Sequence, residues 1–283
     1  MPAEPHRTPE NRIASAVPPL QRLDAVRVAV STSGDAAGAV DEIVATLGDT
    51  SDLGFLLLFV SSQFDAEDVA TALFRAFPDL PHAGCSTAGE ITPRGLIDGG
   101  LVAIGFRKSE FRIACEPMRD LGHFGLEEGG ELVADLRRRL FELPSTETET
   151  PDLFALTLLD GLCQREEVVL SALQRALGDI PLVGGSSGDD LSFQSTFVVS
   201  DGEVLRDAGL LLLVASTRPF RVFKSDHFEP TGRKLVVTDC DPDKRVVSEL
   251  DAEPAWEAFA AATGLDHEQP SGDQFAAHPL LVR

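Results

Sequence analysis

The sequence has few cysteines and no arrangement of them that could build a framework. The four are spread along 283 residues, no two form a CxxC pair, and no cysteine and histidine spacing is typical of a metal site. Scattered thiols suit a reducing compartment better than an oxidising one. We therefore predict a cytoplasmic protein with neither a disulfide framework nor a metal centre. The cysteines are Cys85, Cys115, Cys163 and Cys240.

Long apolar runs are also lacking. The longest, at 54–60 and 208–215, are far shorter than the roughly 20 residues that a helix needs to span a bilayer. The first 19 residues are rich in proline and charged side chains and contain no apolar segment, so they do not resemble a signal peptide. We expect a soluble protein in which residues 1–23 form a flexible leader.

Positive charge is scarce. The chain has 24 Lys and Arg against 46 Asp and Glu, which gives a net charge of −22. Such a protein repels phosphate backbones and anionic lipid surfaces, so we expect neither nucleic acid nor a membrane as a partner. With 43% hydrophobic residues the chain can bury a core, and its length allows one large or two modest domains.

What the sequence does have is one stretch that occurs twice, PHAGCSTAGE at 81–90 and PLVGGSSGDD at 181–190. A shift of 100 residues aligns the lead-ins without a gap as far as Ser86, with twelve identical pairs, and dropping Ala88 aligns Gly89 and Glu90 with Gly188 and Asp189. This indicates an internal duplication. We predict two halves, 24–120 and 128–228, related by a pseudo-two-fold axis, with an acidic linker at 142–151. The first members of the identical pairs are Leu56, Leu58, Glu67, Val69, Ala72, Leu73, Arg75, Ala76, Asp79, Pro81, Gly84 and Ser86.

Each copy follows a strand and a helix. The continuous apolar run at 55–60 is typical of a strand buried on both faces, and Val69, Leu73 and Phe77 recur at helical spacing after a capping Asp65. An alternating strand at 111–115 is expected to complete the first half. The predicted fold class is α/β, with two pseudo-symmetric βαβ-containing repeats whose mixed sheets pack against helices.

The repeated turns predict a binding site for a small polar ligand. Successive N–H groups in a Gly/Ser-rich turn can hold an anionic group, hydroxyls can add donors, and the acids can receive an ammonium group. An amino-acid-like zwitterion would suit this mixture, although small residues also serve where a turn packs against a strand. The candidate residues are Gly84, Cys85, Ser86, Thr87, Glu90, Gly184, Gly185, Ser186, Ser187, Asp189 and Asp190.

An enzyme is the alternative hypothesis, with Cys85 as nucleophile and His82 as base. The second copy has Gly185 and Leu182 at these positions, so the pair is not part of the repeated design. A small buried thiol is the commoner reading of Cys85, and we expect a protein without catalytic residues.

Haem is a further alternative, since one axial histidine is enough to hold it. The sequence has no CxxCH motif, so covalent attachment of the c type is excluded. His227, in an apolar setting between a strand and a Pro-Thr-Gly turn, is the first candidate ligand.

The segments AGCSTAGEI and IPLVGGSSGDD, the Asp-Gly hairpin at 195–204 and the stretch EPTGRKLVVTD resemble the FIST domain family. The resemblance implies a FIST N-like domain over 24–228, followed over 229–283 by the incomplete start of a FIST C-like portion. It also implies a sensory, ligand-binding module of signal transduction, for which amino acids are proposed ligands, and some members are haem proteins that respond to nitric oxide. The expected output is through a partner protein such as a kinase or a cyclic-nucleotide enzyme.

Overall fold

The structure is a computed structural model that describes residues 25–93, 95–144, 151–190, 192–223, 228–242, 245–265 and 272–280. The predicted leader and most of the predicted linker lie outside these ranges, as does His227. Within the described residues, no helix is both long enough and apolar enough to cross a bilayer.

Strands and helices are mixed along residues 26–216, in line with the α/β prediction. The strands are β1 (Val26–Ser31), β2 (Leu53–Ser61), β3 (His82–Thr87), β4 (Glu90–Thr92), β5 (Gly95–Ile97), β6 (Leu101–Arg107), β7 (Phe111–Met118), β8 (Asp152–Leu159), β9 (Leu182–Ser186), β10 (Val198–Ser200), β11 (Glu203–Leu205), β12 (Gly209–Ser216), β13 (Val237–Asp241), β14 (Val246–Leu250) and β15 (Glu253–Pro254). The helices are α1 (Ala36–Leu47), α2 (Ala66–Ala76), α3 (Leu126–Glu142), α4 (Glu166–Leu177), α5 (Ala255–Thr263) and α6 (Gly272–Ala277), with a short 3-10 turn at Leu121–His123.

The first sheet has the strand order β1-β6-β2-β3-β10-β11. Strands β2 and β3 are parallel because α2 crosses between them, and the other neighbours are antiparallel. The carboxylate of Asp65 accepts a hydrogen bond from Asp68 N–H and so begins α2, as the sequence predicted. Val69 and Leu73 on α2 pack with Leu56 on β2 in the core beneath the helices.

The second sheet has the order β7-β12-β8-β9, again with one parallel pair, β8 and β9, on either side of a helix. Strands β7 and β8 run antiparallel to β12 along its whole length. Helices α3 and α4 cover one face of this sheet, where Leu136 and Leu173 are fully buried against Leu211.

The two sheets pack against each other. Phe55 and Leu57 of the first sheet share a buried cluster with Leu210 and Leu212 of the second. Because side chains alternate between the faces of a strand, the other face of each sheet is left for its helices. The result is four layers, helix, sheet, sheet and helix, in which the central strands of both sheets are buried.

The two sheets share one arrangement, in which β1, β6, β2 and β3 correspond to β7, β12, β8 and β9. A duplication would give this result, while the two-fold axis itself stays a prediction. The boundaries differ from those expected. The strand predicted at 111–115 begins the second unit instead of completing the first, because all eight residues of β7 pair with β12. The predicted linker at 142–151 lies inside the second unit, between α3 and β8.

One hairpin crosses from the second unit to the first. Strands β10 and β11 follow β9 in the chain, yet β10 pairs antiparallel with β3 and extends the first sheet. The register sets Val198 opposite Cys85 and Val199 opposite Gly84. This exchange binds the units together at the end of β3, where the first glycine turn begins.

A small third sheet, β13-β14-β15, packs against α5 through Leu250 and Phe259. Arg245, at the start of β14, forms an ion pair with Glu167 on α4, and the Arg245 guanidinium lowers the pKa of that carboxyl below its usual range. The third sheet is thereby tied to the second unit.

Candidate functional site

The two glycine turns lie side by side. The N–H of Gly188 donates a 3.0 Å hydrogen bond to the carbonyl oxygen of Ser86. A Cβ added to Gly188 would lie 3.2 Å from the Cβ of Ala88, so the backbones of the two turns are in close contact. The residues that the sequence singled out in the two copies therefore belong to one region.

Gly84 and Gly184 lie inside β3 and β9 and are packing residues there. A Cβ at Gly84 would come within 2.0 Å of the carbonyl oxygen of Leu58, and one at Gly184 within 1.9 Å of that of Thr157. No side chain fits at such distances, so each glycine permits the close approach of two parallel strands. Gly185 differs, because a Cβ there would meet nothing within 4 Å.

The hydroxyls of the turns are mostly engaged within the protein. Ser86 Oγ is buried and accepts a 3.1 Å hydrogen bond from Phe197 N–H. Ser187 Oγ, also buried, accepts one from Gly161 N–H at 3.0 Å. Thr87 Oγ1 donates to the carboxylate of Glu90 at 2.7 Å. These three hydroxyls hold the turns in place.

Glu90 is an internal carboxyl group. It is only 2% exposed, and besides Thr87 it accepts a 2.9 Å hydrogen bond from Gly100 N–H. Burial raises the pKa of Glu90 above its usual range, and the nearby charges of Asp98 and Asp190 act in the same direction, against the two hydrogen bonds. A group in this position anchors β4 to the start of β6 and is a poor receptor for an external cation.

Asp189 organises the loop that follows it. Its carboxylate accepts hydrogen bonds from Ser192 Oγ at 2.7 Å and from the N–H groups of Phe193, Gln194 and Ser195 at 3.0, 2.6 and 2.9 Å. Burial by itself raises the pKa of Asp189, but the four hydrogen bonds together lower it by more, so that the pKa lies below the ordinary value. Asp189 is thus satisfied by its own loop.

Asp190 and Ser186 remain accessible. Both are exposed, and neither makes a side-chain hydrogen bond to any described residue. Asp190 has the left-handed backbone conformation, with φ at 59°, which an aspartate adopts more readily than most residues. Of the four acidic and hydroxyl positions of the second turn, these two can meet an external group.

Backbone donors were not foreseen individually from the sequence. Among the described residues, the N–H groups of Ala88, Gly89, Asp189 and Asp190 have no hydrogen-bond partner. They belong to both turns and flank the contact between Ala88 and Gly188. The signal available in the sequence was the glycine-rich composition of the turns, which does not tell which amides stay unpaired.

Cys85 and His82 do not form a pair. Cys85 is 3% exposed within the cluster between the sheets, and burial raises the pKa of its thiol to about 12. His82 is three residues earlier on the same strand, so its ring lies on the other face, where Nδ1 donates to the carbonyl oxygen of Leu80 at 3.0 Å. A thiol in this environment is protonated at neutral pH and is a weak nucleophile.

Asp160 is a further buried acid that the sequence reasoning did not single out. It follows β8 and accepts hydrogen bonds from Leu162 N–H at 3.1 Å, from Asp207 N–H at 2.6 Å and from Thr196 Oγ1. A lone acid directly after an apolar strand was the available signal. Its contacts fix the loops around the second turn.

In the part of the chain that the structure describes, no three His, Cys, Asp or Glu side chains cluster so that they could hold a metal ion. The candidate haem ligand His227 lies outside the described residues, so its role stays a prediction.

Comparison with known proteins places the chain in a family. The family profile described as the FIST N domain matches residues 54–253, which covers both units from β2 onward and continues past position 228 to the start of β15. The uncharacterised protein MJ1623 of Methanocaldococcus jannaschii is 25% identical over 225 residues. The match covers 77% of this chain and 42% of that protein, so the chain spans less than half the length of this relative.

Among solved structures, a cyanuric acid hydrolase from A. caulinodans is similar over 68% of this chain and 71% of its own, with 12% identity and a TM-score of 0.36. So slight a likeness carries no argument about activity. The family profile, in contrast, covers well over half of the chain and includes both glycine turns. The chain belongs to the FIST N domain family, whose members are in general sensory domains of signal transduction.

Proposed function

We propose that this protein is a sensory domain that binds a small polar, amino-acid-like ligand where its two glycine turns meet. The observation that carries the proposal is the hydrogen bond from Gly188 N–H to the Ser86 carbonyl oxygen, which brings the turns together. Ligands of open α/β sheets commonly bind at loops that follow the strands, and both turns follow strands of a parallel pair.

The anionic end of the ligand would meet backbone donors. The unpaired N–H groups of Ala88 and Gly89 come from one turn, and those of Asp189 and Asp190 come from the other. Successive backbone amides in turns with left-handed residues form concave sites for carboxylate groups. Gly89 at φ 101° and Asp190 at φ 59° supply such conformations.

The cationic end of the ligand would meet Asp190. Glu90 and Asp189 are taken up by internal hydrogen bonds, whereas the Asp190 carboxylate is exposed. This distribution supports a ligand that carries both charges, with its ammonium group near Asp190 and its carboxylate near the amides. Of the eleven residues predicted from sequence, Asp190 is the one with a direct charged role in this proposal.

The signal would pass to a partner protein such as a kinase or a cyclic-nucleotide enzyme in the cytoplasm. The net charge of −22 supports a protein partner over nucleic acid or an anionic membrane. In this proposal the protein is a binding module without catalytic residues of its own.

The experiment is a thermal-shift screen with amino acids, nucleotides and haemin, followed by calorimetric titration of each ligand that raises the melting temperature. Asp190→Asn should weaken binding of an amino acid by about 1–3 kcal/mol if the carboxylate pairs with the ligand. Asp179→Asn is the matched control, because Asp179 is also exposed but precedes β9 instead of following it.

Two outcomes would contradict the proposal. One is equal affinity of Asp190→Asn, Asp179→Asn and the unaltered protein. The other is a response to haemin alone, with a Soret band that is lost in His227→Ala, which would favour the haem-based nitric-oxide sensor instead.

A further inference from the structure

We propose that the free edge of β9 and the adjoining face of α4 form a docking seat for a β-hairpin, and that the hairpin β4–β5 of a second copy of this chain occupies it. The seat and the hairpin are both present in each copy, so two copies would exchange hairpins reciprocally.

Strand β9 has an open edge. The carbonyl oxygen of Pro181 and the N–H of Ser187 bond to β8, so by alternation the backbone groups of Leu182, Gly184 and Ser186 point away from the sheet. Strand β9 is the last strand of its sheet, and no described strand pairs with these groups. Its sequence, LVGGS, contains neither a charged residue nor a proline that would hinder pairing with another strand.

The corresponding edge in the first unit is filled. The residues equivalent to the three outward positions are His82, Gly84 and Ser86. Ser86 N–H donates to Phe197 at 3.0 Å, and His82 accepts from Asp201 N–H at 2.9 Å. The partner is the hairpin β10–β11, which runs antiparallel to β3.

The hydroxyl of Ser186 also lacks the partner that its counterpart has. Ser86 Oγ accepts a hydrogen bond from Phe197 N–H of the docked segment. Ser186 is exposed and makes no side-chain hydrogen bond to a described residue. A docked strand on β9 would supply the missing donor in the same way.

The helix beside the edge shows the same difference. On α2, which β11 covers, Ala70 is fully buried. Its equivalent on α4 is Leu170, which is 37% exposed. The second seat thus has a larger apolar side chain at this position than the first, and that side chain is partly exposed among the described residues.

Hairpin β4–β5 matches the hairpin that fills the first seat. Each has three paired positions, with Ile91 opposite Leu96 in one and Val199 opposite Val204 in the other. Val199 is fully buried and Val204 packs on the first core, whereas Ile91 and Leu96 are 88% and 77% exposed. Burial of Ile91 and Leu96 against another apolar surface would therefore be favourable.

Strand addition explains the two features together. With β4 on β9 in the register of β10 on β3, Ile91 would lie opposite Gly184, as Val199 lies opposite Gly84. The outward backbone groups of β9 would gain partners, and the apolar face of the hairpin would cover Leu170. A reciprocal exchange between two copies satisfies both edges without a further component.

The test is sedimentation velocity of the full chain over a concentration series, with two variants that alter opposite sides of the contact. Ile91→Lys places a charge on the hairpin, and Leu170→Glu places one on the seat. Each should raise the dimer Kd about tenfold or more, because a charge would be buried without a partner. Val168→Glu is the control, since Val168 is 41% exposed on α4 but two positions away and so on another face; it should leave the Kd unchanged.

Hydrogen exchange provides the second readout. The amides of Leu182, Gly184 and Ser186 should become protected as the concentration of the unaltered protein rises, and not in Ile91→Lys. A chain that stays monomeric throughout the series overturns the proposal. So does a dimer whose Kd is the same in Ile91→Lys, Leu170→Glu and the unaltered protein, because the contact would then lie elsewhere. Loss of ligand binding at Asp190 would not affect either result.

Discussion

The N–H of Gly188 bonds to the carbonyl oxygen of Ser86 at 3.0 Å, and through this bond the second glycine turn rests directly on the first. Ser86 is the residue at which β3 is also held by the crossing hairpin, through Phe197. One short segment thus receives contacts from β2, from the hairpin and from the opposite turn. A ligand that binds at the junction could therefore affect how the two units are held together.

Strand packing predicts that Gly84 and Gly184 are required for stability. Gly184→Ala should lower the free energy of unfolding by about 1–3 kcal/mol or more, because the new Cβ would meet the Thr157 carbonyl oxygen at 1.9 Å. Gly84→Ala should behave alike, since the Leu58 carbonyl oxygen is as close. Urea denaturation at neutral pH measures the change.

Gly185→Ala is the matched control for the glycine series. A Cβ at this position meets nothing within 4 Å, so the change should stay within about 0.5 kcal/mol. Equal stabilities for the alanine variants at 184 and 185 would show that the close approach of β8 and β9 relaxes without loss.

Because its thiol is buried, Cys85 should react slowly with alkylating reagents. In the folded protein at pH 8, iodoacetamide should alkylate the exposed Cys240 well before Cys85, because the Cys85 pKa is raised to about 12 and the side chain is 3% exposed. Both should react at similar rates in urea. Peptide mass spectrometry follows the two sites, and rapid native labelling of Cys85 would revive the hypothesis of a nucleophile.

The local elements of the fold were predictable from the sequence, because their signals lie within a few residues. The buried run at 55–60 gave β2, and Asp65 with its apolar spacing gave α2. The assignment of β7 to the second sheet was not predictable in this way. It depends on pairing with β12, almost 100 residues later, and the alternating pattern of a strand does not indicate which distant strand it pairs with.

The candidate site was predictable in its location but not in its details. Duplicated turns pointed to a shared region, and the Gly188 to Ser86 bond places them together. Composition could not show that the carboxylates of Glu90 and Asp189 would accept hydrogen bonds from internal donors, since a buried and an exposed acid in a turn look the same in sequence. The distinction between Gly184 and Gly185 likewise depends on one backbone oxygen of β8.

The raised pKa of Glu90 predicts a pH-dependent contribution to stability. A carboxyl group whose pKa is higher in the folded state favours folding while it is protonated, below its unfolded value of about 4.3, and loses that contribution as the pH rises through the folded value. Glu90→Gln stays neutral, so its stability relative to the unaltered protein should increase across this window. Urea denaturation at a series of pH values measures the trend.

The exposed Glu127 supplies a control for that series, because Glu127→Gln removes a charge at the start of α3 without a buried carboxyl group. A stability difference between Glu90→Gln and the unaltered protein that stays constant with pH would contradict the assignment of Glu90 as an internal, protonation-sensitive group.

Asp189 should show the opposite dependence on pH. Its pKa is lowered in the folded state, so its contribution is present above the unfolded value of about 3.9 and is lost as the pH falls through the folded value. In Asp189→Asn an NH2 group, which cannot accept a hydrogen bond, replaces one carboxylate oxygen. Either the N–H groups of Gln194 and Ser195 lose their acceptor, or the side chain turns over and the other donors of the loop lose theirs.

At neutral pH this substitution should lower the free energy of unfolding by about 1.5–3 kcal/mol, the range for hydrogen bonds to a charged group. The amides of Gln194 and Ser195 should exchange faster with deuterium, whereas Asp190→Asn, one residue away and exposed, should leave both measurements unchanged. If Asp189→Asn unfolds and exchanges like the unaltered protein, the loop is held by other contacts. Asp189 would then be available to a ligand after all, and the ammonium group of the ligand could pair with Asp189 as well as with Asp190.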